Sequence, residues 1–395
     1  SIYPETCTRS STSSPTAPTH KLTHKANLNR KTMSEEYKPK AVLITGAAGF
    51  IASNVAIRLV KNHPSIMFII LDKLDYCANV KNLEPVKECK NFKFVKGDIL
   101  STDLVNLLVK QYKIDTIYHF AAQTHVDNSF GNSLTFTRNN VLGTHTLLEC
   151  WRANQEIVKR FIHVSTDEVY GENKEPEKGQ AEKTGQAMGG VEFDESKSML
   201  LPTNPYAASK AAAELLVQSY KHSFKIPAII TRGNNVYGPR QYPEKLIPKF
   251  IYRMERKQKL CVHGKGSPRR SYLYVEDAAA AYETVLFKGQ IGEIYNVGTK
   301  DEISVLEVTK AIIGAYGLKK EEDKWIEFVA DRHFNDQRYY ISVQKLEELG
   351  WKPKVSFEDG IKRTIDWYKS NTEHWAEDDI AGALVPHPRR PLDLS

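Results

Sequence analysis

Long apolar runs and paired cysteines are both missing from this sequence. No apolar run in its 395 residues approaches the roughly 18 residues that a membrane helix needs, and the first residues lack the apolar core of a secretory signal. The five cysteines are scattered, odd in number and without a CxxC pair, so their spacing indicates neither a disulfide framework nor a zinc site. We therefore expect a globular cytoplasmic protein with no membrane span and no bound metal.

Blocks of basic residues are missing as well. The formal net charge is +7, but the lysines and arginines are not gathered into runs with interleaved aromatic residues. Nucleic acid is therefore not an expected partner. The positive charge serves either solubility or the attraction of a small anionic substrate, and composition does not separate the two.

Residues 1–36 contain few apolar side chains and many of Ser, Thr, Pro and Lys. Such a composition cannot bury a core, so we predict a disordered N-terminal extension. Met33 opens the stretch MSEEYKPK, and the 32 residues before it are either native or an addition to the natural chain. A targeting segment is the third interpretation, although no amphipathic helix is evident.

From Lys40 onward, short apolar runs alternate with stretches of helical pattern. Such runs are typical of strands buried on both faces, joined by crossover helices. The predicted fold is α/β: a Rossmann-type doubly wound parallel sheet over residues 37–240, then a smaller C-terminal α/β substrate-binding portion over 241–395. The aperiodic stretch 171–204 is predicted as a lid-like insertion, and a helix is predicted from Ser304 to near Gly317. The predicted strands are AVLIT (41–45), MFIILD (67–72), FKFVKGD (92–98), DTIYHFA (115–121), RFIHVS (160–165) and PAIITR (227–232).

The stretch TGAAGFIA, residues 45–52, follows the first predicted strand and opens a helix. Gly46 permits a tight turn, and Gly49 lets the backbone approach a pyrophosphate that the helix N-terminus binds through its amide groups. Asp72 ends the second strand, where a carboxylate accepts hydrogen bonds from the adenosine ribose and repels a 2′-phosphate. The pattern predicts NAD, rather than NADP, as the cofactor.

Further residues of the predicted NAD site follow the next strands. Asp98 is placed to meet the adenine edge, and Ala121 and Ala122 are small enough for the cofactor to lie over the fourth strand. The full predicted set is Gly46, Gly49, Phe50, Ile51, Asp72, Lys73, Asp98, Ile99, Ala121, Ala122, Asn139, Tyr206 and Lys210.

Tyr206 and Lys210 are four residues apart in NPYAASK and therefore share one face of a helix. An ammonium beside the phenol favours the phenolate, so we expect Lys210 to lower the pKa of Tyr206 from the usual value of about 10. Tyr206 is predicted to take a proton from an alcohol as hydride leaves its carbon, with Thr166 as a hydroxyl partner.

The stretches TGAAGFIA, VSTDEVYG and PYAASK together resemble the extended short-chain dehydrogenase/reductase superfamily, and within it the nucleoside-diphosphate-glucose 4,6-dehydratases. The resemblance implies that Tyr206, Lys210 and Thr166 act in oxidation of the sugar at C4 by NAD+. It also implies that Glu168 removes the C5 proton while protonated Asp167 gives its proton to the departing 6-hydroxyl, after which hydride returns to C6. Burial and mutual repulsion can hold two such carboxyl groups at different pKa values.

The resemblance also implies a set of substrate-binding residues. Arg270 and Arg338 are expected to grip the diphosphate through their forked guanidinium groups. The whole set is Thr124, Asn235, Lys245, Leu246, Arg270, Asn296 and Arg338.

Several longer stretches resemble the eukaryotic UDP-glucose 4,6-dehydratases, notably the N-terminal half of plant UDP-rhamnose synthases. They are LDKLDYCANVKNL, HFAAQTHVDNSFGNS, TRGNNVYGP and GALVPHPR, and the resemblance covers about residues 38–390. It implies a hydro-lyase that converts UDP-glucose to UDP-4-keto-6-deoxy-glucose, for rhamnose or another deoxysugar, and a homodimer. The sequence holds no second glycine-rich strand–turn–helix motif, so we expect the keto sugar to be released to a separate enzyme.

Three alternatives stay open at this point. Cys261 and His263 stand where bacterial relatives carry Pro and Tyr, so dTDP-glucose is an alternative substrate. A nucleotide-sugar 4-epimerase or a UDP-glucuronate decarboxylase would need Tyr206 and Lys210 but not the acidic pair that follows Thr166. A function of another class is that of a non-catalytic binding protein that kept the dinucleotide fold.

Overall fold

The computed structural model describes residues 36–172, 192–196, 198–331, 336 and 338–385. The predicted N-terminal extension, apart from Glu36, lies outside the described residues. So does most of the predicted lid-like insertion, because residues 173–191 and 197 are not described.

Seven parallel strands form the main sheet, in the order β10–β6–β5–β4–β1–β2–β3. The chain reverses its direction of growth between β1 and β4, which is where open α/β sheets bind their ligands. The predicted doubly wound parallel sheet is confirmed, and the first two strands have the predicted bounds. The strands are β1 (Ala41–Thr45), β2 (Met67–Asp72), β3 (Phe92–Lys96), β4 (Thr116–His119), β5 (Arg160–Thr166), β6 (Ala228–Gly233) and β10 (Ile294–Val297).

Helices cover both faces of this sheet. Two of them pack on one face, α1 (Phe50–Asn62) and α8 (Val275–Lys288), where Val55, Leu59 and Val285 are fully buried. Three pack on the other face: α2 (Thr102–Tyr112), α5 (Gly143–Ala153) and α6 (Pro205–Phe224). The strands are therefore buried on both sides, which is why their sequences are apolar without alternation.

A third core belongs to the C-terminal portion. Helix α9 (Val305–Ala315) begins with a capping box in which the Ser304 hydroxyl and the Glu307 carboxylate bond each other's backbone N–H, and Val308 and Ile312 are buried, as the sequence predicts. Beside it lie α7 (Leu246–Glu255), α12 (Phe357–Ser370) and α13 (Glu377–Leu384). The small strands are β7 (Asn235–Tyr237), β8 (Leu260–His263), β9 (Arg269–Tyr274), β11 (Glu302–Ser304) and β12 (Ile326–Val329), paired as β11–β9–β7 and β12–β8.

Strand β10 links the two portions. It comes from the stretch that the sequence assigns to the substrate-binding portion, yet it pairs with β6 at the edge of the main sheet. The shorter helices are α3 (Val126–Gly131), α4 (Ser133–Phe136), α10 (Glu322–Trp325) and α11 (Gln344–Glu348), with 3₁₀ turns at Val80–Val86, Asp167–Tyr170 and Lys319–Glu321 and a π-helical turn at Thr137–Leu142. None of the helices in the described part of the chain combines the length and the apolar character that a bilayer crossing requires.

Candidate active site

A cavity of about 480 Å3 opens at the carboxyl ends of the main strands. The loops after β1, β2, β3 and β4 line one part of it, the start of α6 lines its floor, and segments of the C-terminal portion close the far side. Most of the residues predicted to bind cofactor or substrate are thus brought to one place by the parallel strands.

The glycine-rich turn after β1 forms the wall nearest the sheet. Gly46 has φ of 73°, and a side chain there would come within 2.6 Å of the Ala121 Cα atom, so only glycine fits. Gly49 begins α1 with no side-chain cap, and the first turn of the helix carries no acidic residue. The helix therefore presents backbone N–H groups and the positive end of its dipole to the cavity, a site suited to an anion.

Asp72 lies at the end of β2, beside this turn. Its carboxylate accepts hydrogen bonds from the backbone N–H of Ala48 at 2.9 Å and of Leu74 at 2.8 Å. Burial raises the pKa of Asp72, and these two hydrogen bonds oppose that rise. A carboxylate offers about four acceptor positions, so two remain for a ligand.

The other predicted cofactor residues lie around the same wall. Lys73 donates to the Asn139 side-chain oxygen at 2.6 Å and pairs with Asp75 at 3.1 Å. All the predicted residues of this set line the cavity: Gly46, Gly49, Phe50, Ile51, Asp72, Lys73, Asp98, Ile99, Ala121, Ala122, Asn139, Tyr206 and Lys210. The backbone amides at the start of α1, the two free acceptor positions of Asp72 and the small side chains of Ala121 and Ala122 fit a dinucleotide.

Tyr206 and Lys210 lie one turn apart at the start of α6, both buried. The Lys210 ammonium donates to the backbone oxygen of Val164 in β5 at 2.7 Å, and burial lowers its pKa to about 8. Burial, followed by the negative charge of Glu168, raises the pKa of Tyr206, and a hydrogen bond with Thr166 opposes the rise. The expected lowering of the tyrosine pKa by Lys210 is therefore wrong in this structure, because the phenol is desolvated and lies close to a carboxylate.

The two carboxyl groups after Thr166 have different surroundings. Asp167 is only 2% exposed and accepts from the Asn234 amide at 2.6 Å and the Thr166 hydroxyl at 3.2 Å. Burial and the nearby charge of Glu168 raise its pKa to about 7. Glu168 itself lines the cavity and accepts from the Asn204 amide at 3.0 Å, and burial raises its pKa as well.

Asp167 does not line the cavity directly. Its two hydrogen-bond partners, Thr166 and Asn234, both do. The aspartate carboxyl thus lies immediately behind the wall, whereas the glutamate carboxyl forms part of it.

Five of the seven predicted substrate residues line the outer part of the cavity: Thr124, Asn235, Lys245, Leu246 and Arg270. The Lys245 ammonium donates to the backbone oxygen of Thr124 at 3.1 Å. The Arg270 guanidinium donates to the backbone oxygen of Asp336 at 2.7 Å and lies over the ring of Tyr339, 4.9 Å from its centre.

Two predicted substrate residues are not among those that line the cavity. Asn296 is 0% exposed, and its side chain bonds the Tyr170 hydroxyl at 2.9 Å and the backbone oxygen of Ser342 at 2.9 Å. Arg338 forms a forked ion pair with Glu302, with its Nε 2.8 Å from both carboxylate oxygens. Both assignments stay predictions, because in this structure the polar groups of Asn296 and Arg338 bond protein partners.

Two asparagines that sequence reasoning passed over contact the carboxyl pair. Asn204 lies in NPYAASK and Asn234 in RGNNVYGP, both next to residues that the sequence singles out. The available signal was their position in the sequence, since Asn204 stands two residues before Tyr206 and Asn234 stands one residue before Asn235. Nothing in the spacing says that their amide groups bond Asp167 and Glu168, since those contacts join distant parts of the chain.

Comparison with known proteins agrees with this geometry. The family model described as GDP-mannose 4,6 dehydratase matches residues 43–364. A curated relative from Arabidopsis thaliana, a trifunctional UDP-glucose 4,6-dehydratase/UDP-4-keto-6-deoxy-D-glucose 3,5-epimerase/UDP-4-keto-L-rhamnose-reductase, is 56% identical over 353 residues. That alignment covers 89% of this chain and 50% of the relative, so the chain spans about half the length of the Arabidopsis protein.

Two further relatives match over nearly their whole length. The dTDP-D-glucose 4,6-dehydratase of Mus musculus is 49% identical over 355 residues, covering 89% of this chain and 94% of the relative. The crystal structure of dTDP-glucose 4,6-dehydratase from Streptomyces venezuelae with NAD bound is 37% identical with a TM-score of 0.77, covering 86% of this chain and 99% of that one. By sequence and by structure, this chain belongs to the GDP-mannose 4,6 dehydratase family, among the nucleotide-sugar 4,6-dehydratases of the extended short-chain dehydrogenase/reductase superfamily.

Proposed function

We propose that this chain is a UDP-glucose 4,6-dehydratase, a hydro-lyase that forms UDP-4-keto-6-deoxy-glucose for rhamnose or another deoxysugar. The observation that carries the proposal is the position of Glu168, with Asp167 behind it, at the same end of the cavity as Tyr206 and Thr166. Tyr206 and Thr166 would serve oxidation at C4, and Glu168 and Asp167 would serve loss of water from C5 and C6.

NAD is the cofactor that the inner wall fits. The backbone amides at Phe50 and Ile51, in the first turn of α1, would bind its pyrophosphate, and the two remaining acceptor positions of Asp72 would bind the ribose hydroxyls. When bound, NAD would supply the hydride acceptor for C4 and the hydride donor for C6, so the reaction would have no net redox change.

Tyr206 is the group that takes the proton of the sugar 4-hydroxyl at its phenolic oxygen. The hydrogen bond with Thr166 favours the phenolate and orients the ring. Lys210 is held by the backbone of β5, one turn further along the same helix face. Its ammonium is buried, and it would contribute a positive charge at the reacting end.

Glu168 is the base for the C5 proton because it is the carboxyl group that lines the cavity. Asp167 is the acid that protonates the departing 6-hydroxyl because its pKa of about 7 leaves much of it protonated near neutral pH. Since Asp167 lies behind the wall, its carboxyl must turn away from Asn234 toward the cavity to deliver the proton. The same Glu168 proton returns to C5 when hydride reaches C6.

The nucleotide end of the cavity carries Lys245 and Arg270, which suit a diphosphate. The 56% identity to the plant protein, whose name includes UDP-glucose 4,6-dehydratase, supports UDP-glucose as the substrate. dTDP-glucose is the second candidate because the mouse protein of similar length, named for that substrate, is 49% identical. Cys261 and His263 line the cavity on the nucleotide side and differ from the residues expected of bacterial relatives.

The carboxyl pair also separates this function from its other rivals. A solved structure of UDP-glucose 4-epimerase from Thermotoga maritima matches with a TM-score of 0.73 but only 28% identity, covering 84% of this chain and 100% of that one. An epimerase or a decarboxylase has no use for an acid and a base beside C5 and C6. A non-catalytic binding protein would need none of the five proposed catalytic residues, which are Thr166, Asp167, Glu168, Tyr206 and Lys210.

A homodimer in the cytoplasm is part of the proposal. Leu142, at the end of the π-helical turn before α5, is 50% exposed, and Leu215 on α6 is 55% exposed; both are large apolar side chains that a second copy of the chain would cover. Sedimentation of the purified protein, compared with Leu215→Glu, would measure this. A monomeric wild-type protein would contradict it.

The experiment that tests the proposed function is incubation of the purified protein with UDP-glucose and, separately, with dTDP-glucose. Loss of one water by mass spectrometry and the alkali-induced absorbance of a 4-keto sugar report the product. We expect clear preference for UDP-glucose. Turnover of dTDP-glucose alone would keep the reaction and reject the nucleotide, and no dehydration of either would reject the proposal.

A further inference from the structure

Asn204 uses both ends of its side-chain amide. Its Oδ1 accepts the backbone N–H of Ala207 at 2.8 Å and so caps the N-terminus of α6. Its Nδ2 donates to Oε2 of Glu168 at 3.0 Å. The side chain is buried and lines the cavity, so one planar amide joins the helix that carries Tyr206 and Lys210 to the carboxylate after β5.

We propose that Asn204 is a positioning residue that fixes the base Glu168 at a set place relative to Tyr206. This inference rests on the proposed function. Tyr206 acts at C4 and Glu168 at the adjacent C5 of one sugar, so the two groups must keep a constant separation while the sugar stays in place. Asn204 is two residues before Tyr206 in sequence. Because one end of its amide bonds the start of α6 and the other end bonds Glu168, the carboxylate is held at a fixed place relative to that helix.

The same contact favours the ionised form of the base. A neutral amide that donates to a carboxylate stabilises its charge, and this hydrogen bond opposes the burial that raises the pKa of Glu168. Asp167 has a comparable donor in Asn234, and burial outweighs the donor at both carboxyl groups. At Asp167 the charge of Glu168 adds to burial and raises the pKa to about 7, so the two carboxyl groups differ in their surroundings, as an acid and a base at one pH require.

The rival explanation is that Asn204 only caps α6. Capping needs just an acceptor, which Ser and Asp also provide. Positioning needs the amide N–H at the reach of the Asn side chain, which neither provides. Asn204→Ser keeps a capping oxygen and replaces the amide N–H with a hydroxyl on a shorter side chain, while Asn204→Asp keeps the shape and the cap but sets a second negative charge against Glu168.

Asn79 supplies the matched control. Its Oδ1 caps the 3₁₀ turn at Val80–Val86 by accepting from the Lys81 N–H at 2.9 Å, and its Nδ2 donates to the backbone oxygen of His374 at 2.7 Å. It does not line the cavity. Asn79→Ser therefore removes the same kind of donor from the same kind of cap without touching the carboxyl pair.

The test measures three properties of each variant as the holoenzyme. The first is exchange of the C5 hydrogen with deuterated solvent during turnover of UDP-glucose, recorded with the dehydration rate across pH. The second is reduction of bound NAD by UDP-6-deoxy-glucose, which has no 6-hydroxyl to lose and so reports oxidation at C4 alone. The third is the midpoint of thermal unfolding.

For Asn204→Ser we expect C5 exchange and dehydration to fall by about tenfold to a hundredfold, the usual loss for a hydrogen bond to a charged group. The limb of kcat that rises with pH should move to higher pH, because loss of the donor raises the pKa of a base that must be ionised. Reduction of NAD by the 6-deoxy sugar and the unfolding midpoint should stay near wild type. Asn204→Asp should show the larger pH shift, and Asn79→Ser none.

Equal loss in all three properties, or no loss in any, would overturn the inference while leaving the proposed function standing, provided the wild-type enzyme dehydrates UDP-glucose or dTDP-glucose. A wild-type enzyme that dehydrates neither would overturn both.

Discussion

The two ends of the cavity are built differently. At the inner end, the proposed catalytic side chains lie on a strand, the 3₁₀ turn that follows it and a helix. At the outer end, the proposed substrate-binding side chains are long and cationic, and they come from separate segments of the chain. Thr166 ends β5, and Tyr206 and Lys210 occupy the first turns of α6. Arg270 lies on β9, and its guanidinium is held by Asp336 far along the chain. Local sequence therefore determines the inner end, while the outer end depends on which long side chains find partners after folding.

The largest effect should come from the inner end. Asp167→Asn and Glu168→Gln each remove one acid or base, and we expect dehydration to fall by about 10²–10⁴-fold. Reduction of bound NAD by UDP-6-deoxy-glucose should persist in both variants, since Tyr206 is unchanged. Stopped-flow absorbance of the reduced nicotinamide measures that step. Equal loss of both steps would show that the carboxyl groups do not divide the chemistry as proposed.

At the outer end, Arg270→Ala should raise KM for the nucleotide sugar by about tenfold to a hundredfold, through loss of a charged donor to the diphosphate. The turnover number should change less, because the reacting groups are untouched. Arg270→Lys is the matched control and should recover part of the affinity, since it keeps the charge but not the fork. Steady-state kinetics that show a fall in kcat with unchanged KM would argue against a binding role.

The pH dependence sharpens the contrast further. Asp167 must be protonated to act, and its pKa is about 7 in the folded protein. We expect kcat/KM to fall by about tenfold per pH unit above that value. The folded state holds this proton more tightly than the unfolded state, where the pKa of Asp is about 3.9, so the free energy of unfolding should fall as pH rises from about 4 to about 7.

Asp167→Asn is the control for both statements. The variant cannot ionise at this position, so its residual activity should lack the alkaline limb, and it should be more stable than wild type near pH 8 by about 1–3 kcal/mol. Chemical denaturation at several pH values measures the difference. A variant that is less stable than wild type at that pH would contradict the burial argument.

The smallest effects on activity should come from Asn296 and Arg338, the two predicted substrate residues that bond protein partners and do not line the cavity. Asn296→Ala removes the side-chain hydrogen bonds to the Tyr170 hydroxyl and to the backbone oxygens of Phe193 and Ser342, so we expect a loss of about 1–3 kcal/mol in stability and little change in KM. Arg338→Met breaks the pair with Glu302 and should likewise leave KM nearly unchanged. A large rise in KM for either would restore the prediction made from sequence.

The sequence predicts what depends on neighbours along the chain. Six main strands, the glycine turn, the capped helix after Ser304 and the group Thr166, Tyr206 and Lys210 all follow from local patterns. The hydrogen bonds of the Asn296 side chain do not follow from local patterns, because its partners Tyr170 and Ser342 are distant from it in the sequence. The pKa of Tyr206 also does not follow from local patterns, since it is raised by burial and by the charge of Glu168, which lies 38 positions earlier in the sequence.

One measurement tests the central claim most directly, namely that a single sugar is oxidised at C4, loses water and is reduced at C6 within one cavity. UDP-glucose carrying deuterium at C4 is converted by the wild-type holoenzyme, and the product is examined by NMR and mass spectrometry. The proposed function predicts that the deuterium appears at C6 of UDP-4-keto-6-deoxy-glucose. Deuterium that stays at C4, as in a product with its 4-hydroxyl intact or inverted, would contradict it.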